Sequence, residues 1–516
     1  MELIRQNLLS VLIFLPLLGA GAVLCIREAR VARAIALATA IIVCALSLLL
    51  IIPGIFDWTH AGNYAYERAG GVVQLVQRVA WIPSINAEYL VGVDGLSMPL
   101  VILSTFVFVL AIVAGWKTEK LPRGFFALIL LLETGVLGSF LALDFLLFFV
   151  FFEVSLLPMY FLIGIWGGAR REYAAIKFFI YTFVGSIAIL VALIAIWLST
   201  KSFDLIALPS LIRDSSLTST ARTTLFLLIF GGFLVKLPAF PLHTWLPDAH
   251  VEAPTSISMI LAAVLLKLGG YGLLRITLPL FADQAIQLWW VLAGIGVFSI
   301  LFGALCALGQ TDFKRLVAYS SVSHMGLVLL GVAMMTPASI GGAIFMMVSH
   351  GITSAALFFI VGIIYDRVHH REIARMGGIA TSMPVYTRLS AIIIFASLGL
   401  PGMCGFVGEI MVLIGTFGAT KYGPIAGESA AWQIWTLGGL ATFGIVLTAG
   451  YMLWTLQRVY LGVPRPEMKA LPEMDRRELI VLWPLSVLAI VLGIMPWVLV
   501  LVFSETTVEA LLKVLS

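Results

Sequence analysis

Charged residues and cysteines are scarce in this sequence. Only 11% of its 516 residues are Asp, Glu, Lys or Arg, whereas soluble domains have about 25%. Its four cysteines lie far apart, with no CxxC pair and no Cys/His cluster, so we expect no zinc, haem or iron–sulfur site. Nucleotide-binding glycine motifs are missing. The net charge of +4 is too small to indicate a nucleic-acid partner.

Hydrophobic residues, in contrast, make up 61% of the sequence. A membrane-spanning helix needs about 20 apolar residues, and a helix satisfies its backbone groups inside lipid. The apolar runs predict an all-α polytopic membrane protein, and the N-terminal run is too long for a typical signal peptide. Fourteen spans, numbered here in chain order, are predicted to begin near residues 6, 31, 97, 124, 145, 174, 223, 254, 286, 315, 337, 384, 434 and 480.

The distribution of lysine and arginine predicts the orientation. If the connection after span 1 is inside, the inner loops hold 20 Lys and Arg residues, and the outer loops and tails hold 9. Inner loops normally carry the excess, so both termini are expected on the outer, periplasmic side. The longest non-spanning segment, residues 53–96, belongs to the same side. The lack of a targeting segment favours the inner (plasma) membrane of a bacterium.

Several ionisable residues fall inside predicted spans. Such a residue costs roughly 2.5 to 3.5 kcal/mol near the bilayer centre, and it usually faces a partner, water or the bundle interior. Six are candidate functional residues: Glu153, Lys236, Lys267, His324, His350 and Glu409. The alternative is structural: a protonated packing carboxylate, a snorkelling lysine or a hydrogen-bonded core histidine. Glu133 in span 4 is a further candidate for a buried carboxylate.

Proline and glycine interrupt three of these spans beside the ionisable residues. Pro158 removes a backbone donor just after Glu153 in span 5. Span 7 is predicted to break beside Lys236 because neither Pro238 nor Pro241 can donate a hydrogen bond. Pro401 is expected to break span 12 shortly before Glu409 in the same way.

Interrupted helices in corresponding places of two halves indicate inverted repeats around a transport pathway. We therefore predict two inverted five-helix repeats, made of spans 4–8 and 9–13. The expected parts are residues 1–123 (spans 1–3 with the outer loop), 124–275 (first repeat), 286–461 (second repeat) and 462–516 (an inner linker and span 14).

An acidic and imidazole cluster follows the predicted break in span 7. It consists of His243, Asp248, His250 and Glu252, which we place in an inner loop. Two interpretations remain open for it, a capped turn or a funnel that admits protons.

One long stretch of the sequence resembles a known family. It reads VKLPAFPLHTWLPDAHVEAPTSISMILAAVLLKLGGYGLLR and is similar to the antiporter-like proton-translocating subunits of respiratory complex I and of multisubunit sodium/proton antiporters. The resemblance continues through FFVFFEVSLLPMYFLIGIWGG, DFKRLVAYSSVSHMGLVLLG and SHGITSAALFFIVGIIYDR, and covers at least residues 124–460. It implies fourteen helices, two inverted repeats and no redox centre in this chain.

The resemblance also implies roles for the six buried residues. Glu153 would pair with Lys236, Lys267 would be the central lysine, and Glu409 would lie nearest the outer exit. The two histidines, His324 and His350, would link them. Glutamate at 409 and the chain length favour the respiratory branch, and a sodium/proton antiporter chain is the alternative.

In the respiratory branch this chain would pump protons while other subunits oxidise NADH and reduce quinone. The resemblance places NADH, FMN, iron–sulfur clusters and quinone in those partner subunits and no cofactor here. L-like and N-like antiporter-like neighbours in the lipid bilayer are the expected partners.

Overall fold

The computed structural model describes residues 2–52, 55, 73–425, 428–498 and 501–515. Among these residues, apolar helical segments fit all fourteen predicted spans, and thirteen of the segments are long enough to cross a membrane. Each begins within four residues of its predicted start. The all-α membrane fold is therefore confirmed. Most of the predicted outer segment before residue 73, including Asp57 and Glu67, lies outside the described residues.

The bounds of the spans follow the apolar runs closely. Spans 1 to 7 are Gln6–Cys25, Ala29–Ile51, Ser97–Lys117, Pro122–Leu141, Phe145–Trp166, Arg171–Thr200 and Ser219–Lys236. Spans 8 to 14 are Thr255–Leu280, Trp289–Leu308, Phe313–Met334, Pro337–Val368, the two halves Pro384–Ser397 and Cys404–Gly418, Ala430–Tyr460 and Arg476–Ile494.

Polar caps fix where several spans begin. Asp144 accepts a hydrogen bond from the Leu147 N–H at the start of span 5, and Asp312 accepts one from Arg315 N–H at the start of span 10. A capping box at Asp475 starts span 14. Such side chains satisfy backbone donors that have no partner inside the helix.

The most apolar part of spans 8 and 11 is completely buried, and that of span 10 almost completely. The backbones of spans 9 and 10 lie so close together that a side chain at Gly326 would collide with the carbonyl oxygen of Gly296. Spans 1, 2, 6 and 13 leave most of their surface exposed. The centre of the molecule is therefore built by spans 8, 10 and 11, which carry three of the six candidate residues, Lys267, His324 and His350.

A β-hairpin occupies part of the segment that the sequence analysis treated as a plain outer loop. Strand β1 (Gln74–Ile82) pairs antiparallel with β2 (Ala87–Val93), and Asn86 makes the turn in the left-handed conformation. Arg78 and Glu88 form a cross-strand ion pair of 2.7 Å. The all-α description thus holds for the membrane part but misses this hairpin.

Spans 5, 7 and 12 are interrupted at the predicted places. Span 5 divides at Ser155, three residues before Pro158. Span 7 ends at Lys236. In span 12, Gly399 and Gly402 take positive φ angles of 77° and 89° between the two halves, a conformation that costs glycine little.

Two features of the chain differ from the sequence-based expectation. The placement of residues 245–252 in a loop is wrong, because Trp245–Glu252 is a helix that follows the broken span 7, whereas His243 lies in the turn before it. Span 8 contains two π-helical segments, Leu261–Leu265 and Leu273–Thr277, on either side of Lys267. Single π-turns frequently occur at functional sites.

The end of the chain adds a helix after span 14 that was not predicted. This helix, Leu501–Leu515, packs over the segment before span 3, where the Thr507 hydroxyl accepts a hydrogen bond of 3.0 Å from Gly95 N–H. On the opposite face, Arg367 pairs with Glu478 at 2.7 Å and Lys117 with Asp475 at 3.2 Å. Residues predicted for the inner loops therefore lie together.

Candidate functional site

A line of buried ionisable side chains begins at Lys267 in span 8. Lys267 is fully buried, and its Nζ donates a hydrogen bond of 2.7 Å to the carbonyl oxygen of Ala262. The same Nζ lies 2.7 Å from Nδ1 of His350 in span 11. Ala262 belongs to the first π-helical segment, which widens the helix just before Lys267. The lysine is thus fixed between its own backbone and the next ionisable group.

The line continues from His350 to His324 in span 10. The centroids of the two imidazole rings are 5.3 Å apart. His324 Nδ1 lies 2.8 Å from the carbonyl oxygen of Ser320, and its Nε2 lies 3.1 Å from the carbonyl oxygen of Ser397. A neutral imidazole has one N–H and a protonated imidazole has two. Only the protonated ring can donate to both carbonyls, so this position is built to hold a proton.

The break in span 12 supplies one of those carbonyls. In a continuous helix residue 401 would donate to the carbonyl of Ser397, and Pro401 cannot. His324 takes its place. Glu409 Oε1 lies 4.0 Å from His324 Nε2, and a side chain at Gly399 would collide with the Glu409 carboxylate. The interruption therefore provides both an acceptor for the histidine and space for the carboxylate.

These residues follow one another in space in a different order from that in the sequence. The spatial order is Lys267, His350, His324 and Glu409, and all four residues are at most 5% exposed. The structure thus brings together four of the six predicted site residues across spans 8, 11, 10 and 12.

Glu153 and Lys236 are neighbours but do not form an ion pair within the described part of the chain. Lys236 is buried, and its Nζ has no hydrogen-bond partner among the described residues. It lies 4.7 Å from the ring centroid of Phe152 and 6.0 Å from that of Phe178. Glu153 is half-buried, with Oε1 buried and likewise without a partner in the described chain.

Neighbouring protein groups bond to the backbone at the break beside Lys236 and pack against it. Trp245 Nε1 donates a hydrogen bond of 2.9 Å to the carbonyl oxygen of Val235. Gly269, in span 8, packs directly on the backbone of Phe233 and Leu237, where no side chain could fit. The interrupted helix is thereby held against span 8, one turn or less from Lys267.

The predicted cluster after span 7 divides into two kinds of residue. Asp248 forms ion pairs with Lys177 at 2.7 Å and with Arg315 at 3.2 Å. His250 points the other way: it is fully buried, stacks on Phe358 at 4.1 Å between centroids, and neither ring nitrogen has a hydrogen-bond partner among the described residues. A capped turn accounts for the carboxylate but not for the histidine.

Sequence reasoning missed two residues of this region. Lys314 was counted as an inner-loop cation, yet it is buried, and its Nζ donates 2.6 Å to the carbonyl oxygen of Ala253. His250 was assigned to a loop. The helical spacing of the buried residues Trp245, Leu246 and Ala249 was the available signal, because it places position 250 on the inward face.

Glu133 lies apart from the line. It is completely buried in span 4, and neither carboxylate oxygen has a hydrogen-bond partner within the described chain. Over the same described residues, no group of three or more His, Cys, Asp or Glu side chains is placed to hold a metal ion.

Comparison with known proteins relates the chain to respiratory membrane subunits. Residues 142–427 match the family described as NADH:quinone oxidoreductase/Mrp antiporter, TM. NADH-quinone oxidoreductase subunit M of Rhodobacter capsulatus is 40% identical over 507 residues, which cover 95% of this chain and 94% of the relative. NAD(P)H-quinone oxidoreductase chain 4 1 of Synechococcus sp. (strain JA-3-3Ab) is 42% identical, covering 97% and 92%.

Solved structures share the fold. A chain of respiratory complex I from Thermus thermophilus with bound NADH superposes with a TM-score of 0.84 at 29% identity, covering 98% of this chain and all of that chain. A chain of the Mrp complex from Dietzia sp. DQ12-45-1b gives 0.82 at 21% identity, covering 99% and 100%. The chain therefore shares its architecture with chains of both kinds of complex, and the likeness to the Mrp chain, at 21% identity, shows the fold alone.

Proposed function

The chain belongs to the NADH:quinone oxidoreductase/Mrp antiporter transmembrane family, and we propose that it is an M-type subunit that moves protons across the membrane. Other subunits would oxidise NADH and reduce quinone. Two features of the sequence favour this branch, the glutamate at 409 and the chain length, and relatives named subunit M match over nearly the full chain. An Mrp-type antiporter is the weaker candidate, because the family description covers both kinds of protein, whereas the relatives that are 40% and 39% identical over nearly the full chain are named NADH-quinone oxidoreductase subunit M.

The unbroken line from Lys267 to Glu409 is the observation that carries this proposal. Four ionisable groups from four helices contact one another in a buried interior. Buried ionisable groups are expensive in a membrane protein and usually mark proton or ion pathways. A scaffold of the same shape could use apolar residues at all four positions.

Glu153 and Lys236 would act as the switch that feeds this line. Burial disfavours a charged lysine, and a nearby carboxylate favours it. Approach of Glu153 would therefore hold a proton on Lys236, and withdrawal would release that proton toward Lys267. The separated arrangement of the two side chains fits the state in which the lysine is isolated.

The route we propose starts at the inner side near His243–Glu252, where His250 is fully buried within electrostatic range of Lys314 and Lys267. A proton would load Lys236 and Lys267, pass His350 and His324, and leave past Glu409 to the outer side. A neutral imidazole can accept a proton on one nitrogen and release one from the other, which suits the linking positions.

Energy for this cycle must come from partner subunits. We propose that the neighbours are other antiporter-like, L-like and N-like membrane chains, which transmit the signal by conformational or electrostatic change. The NADH, FMN, iron–sulfur and quinone chemistry would lie in the partners. The protein would then reside in a bacterial inner (plasma) membrane, with both termini outside.

Replacement of Glu153 by Gln tests the proposal. We expect NADH-driven quinone reduction and proton uptake to fall together in inside-out vesicles, with the complex still assembled. Glu119→Gln, at an exposed carboxylate between spans 3 and 4, is the matched control and should behave as wild type. Normal values of both activities in Glu153→Gln would contradict the switch. Unchanged NADH activity with a loss of sodium tolerance would favour the antiporter.

A further inference from the structure

A second set of buried polar groups has one end near His324 and Glu409, and the proposed route does not use it. The set consists of hydroxyl side chains of spans 10, 12 and 13. Its members are Ser320, Tyr386, Ser390, Thr448, Tyr451 and Tyr460. We propose that these hydroxyls form a branch that carries protons from the inner side to Glu409, so that the second repeat has its own uptake route. This inference rests on the proposed function.

The inner end of the branch is a pair of tyrosines. Tyr386 and Tyr460 are fully buried, their rings stack at 5.7 Å between centroids, and their hydroxyl oxygens are 3.3 Å apart. The Tyr386 hydroxyl donates a bond of 3.0 Å to the carbonyl oxygen of Ile360. The Ser390 hydroxyl lies beside both tyrosines. Two phenols and a serine thus meet one turn into span 12.

This end reaches the predicted inner face. Glu473 of the linker accepts hydrogen bonds from the backbone N–H groups of Val385 and Tyr386, at 2.7 and 3.2 Å. Arg367, which is ion-paired with Glu478 at 2.7 Å, is also within electrostatic range of the Tyr386 hydroxyl. Charged groups of the inner linker and of the end of span 11, themselves largely buried, are therefore next to the tyrosine pair.

The other end of the branch is Tyr451 in span 13. Its side chain is fully buried, and its hydroxyl lies beside those of Thr448 and Ser320 and within electrostatic range of Glu409. Ser320 is the residue whose carbonyl oxygen contacts His324 Nδ1 at 2.8 Å. Tyr451 thus approaches the same turn of span 10 that holds the histidine.

Ordinary helix packing explains only part of this arrangement. The hydroxyls of Ser320 and Thr448 donate to carbonyls of their own helices, at 2.8 and 3.2 Å, as buried hydroxyls in helices often do. The hydroxyls of Tyr451 and Ser390, in contrast, are buried without a hydrogen-bond partner among the described residues. Phenylalanine and alanine would pack there without that cost.

The chemistry of the branch needs no charged intermediate on the hydroxyls. Each hydroxyl can accept a hydrogen bond and donate one, and ordered water commonly satisfies buried polar groups between such residues. A proton would leave the Tyr451 oxygen toward the Glu409 carboxylate while another arrives at that oxygen through ordered water that joins it to the cluster of Ser390 and the two inner tyrosines. One O–H bond breaks as another forms, and the tyrosine is unchanged after the step.

Tyr451→Phe removes the hydroxyl and keeps the ring. In inside-out vesicles the inner face meets the buffer, so we expect NADH oxidation and proton uptake to slow several-fold, with the deficit growing toward alkaline pH as protons become scarce. Tyr386→Phe should show the same trend. The double variant should be no slower than the slower single one, because both residues serve one route. Tyr160→Phe, a half-buried tyrosine of span 5, is the control.

Three outcomes would separate this inference from the proposed function. A wild-type rate and pH profile in Tyr451→Phe, together with a slow Glu409→Gln, overturns the branch and leaves the proposed function intact. An equal loss at every pH also overturns the branch, because it indicates a packing role. Unchanged activity in both Glu409→Gln and Glu153→Gln overturns the proposed function itself.

Discussion

The ionisable side chains at the two broken helices, spans 7 and 12, differ in their hydrogen bonding. In span 7 the freed carbonyl of Val235 is taken by Trp245, and Lys236 is left among aromatic rings without a hydrogen bond from the described residues. In span 12 the freed carbonyl of Ser397 is taken by His324. The interruption therefore leaves an ionisable group isolated in span 7 and connects one in span 12.

This difference suggests which end of the route is regulated. A side chain without fixed partners can change its protonation when a neighbour such as Glu153 moves by a small distance. Side chains that bond to each other and to backbone, such as Lys267 and His350, change together. We therefore expect control at span 7 and relay through spans 8, 10, 11 and 12.

Replacing the two lysines by an uncharged residue should have the largest effect, and it tests whether the isolated Lys236 and the hydrogen-bonded Lys267 differ. Lys267→Met and Lys236→Met should each lower coupled proton uptake about 100-fold or more, within the range for a lost proton-transfer group. Only Lys267→Met leaves former partners, the Ala262 carbonyl and His350, without their bond. Its complex should therefore also assemble less well on native gels. Equal assembly of both variants would contradict the distinction between isolated and connected lysines.

Filling the space beside Glu409 should have the second-largest effect. Gly399→Ala adds a methyl group that collides with the Glu409 carboxylate. It also places an alanine at a φ of +77°, and this backbone strain alone costs about 1–2 kcal/mol. We expect loss of proton uptake with a lower thermal midpoint. Gly439→Ala in span 13, where the added methyl meets nothing within 4 Å, is the matched control. A wild-type Gly399→Ala would show that the break tolerates a different geometry.

A smaller effect is expected from opening the break in span 7. Trp245→Phe removes the donor to the Val235 carbonyl, and an unsatisfied buried acceptor costs about 1–3 kcal/mol. The thermal midpoint should fall, and the activity should fall less than in Lys236→Met. Trp435→Phe, at an exposed site in span 13, should leave both unchanged. An unaltered midpoint in Trp245→Phe would mean that another donor closes the break.

The smallest effect lies outside both breaks, in the inner linker. Hydrogen bonds from Arg375 and His370 hold the pKa of the exposed Glu467 below its ordinary value of 4.5. A carboxylate with a lowered pKa stabilises the fold above its ordinary pKa, and this contribution is lost as the pH falls through the lowered value. Glu467→Gln should slightly increase protease cleavage of residues 462–475 at neutral pH. The difference from wild type should vanish in acid, and a difference that persists there would refute the charge explanation.

Much of the membrane fold could be predicted because its signals are local in sequence. The length of apolar runs gave every span start within four residues, and proline gave the breaks at Lys236 and before Glu409. The six candidate residues were identified from ionisable character inside apolar runs, a signal that needs no tertiary information.

The remaining features depend on contacts between distant segments. The hairpin of β1 and β2 needs a pairing that its uneven sequence does not indicate, and its register shifts twice. The π-helical segments around Lys267 have no proline or glycine marker of their own. The contact of His350 with Lys267 spans 83 positions in the chain, so no local pattern could reveal it.

The carbonyl of Ser397 connects the shape of span 12 to the position of a proton. Pro401 leaves this oxygen without a helical donor, and His324 supplies one only while a proton is on its Nε2. We therefore expect loss of that proton to release the histidine from the first half of span 12, and displacement of that half to break the same hydrogen bond. The protonation of one residue would in this way be coupled to the position of half a helix.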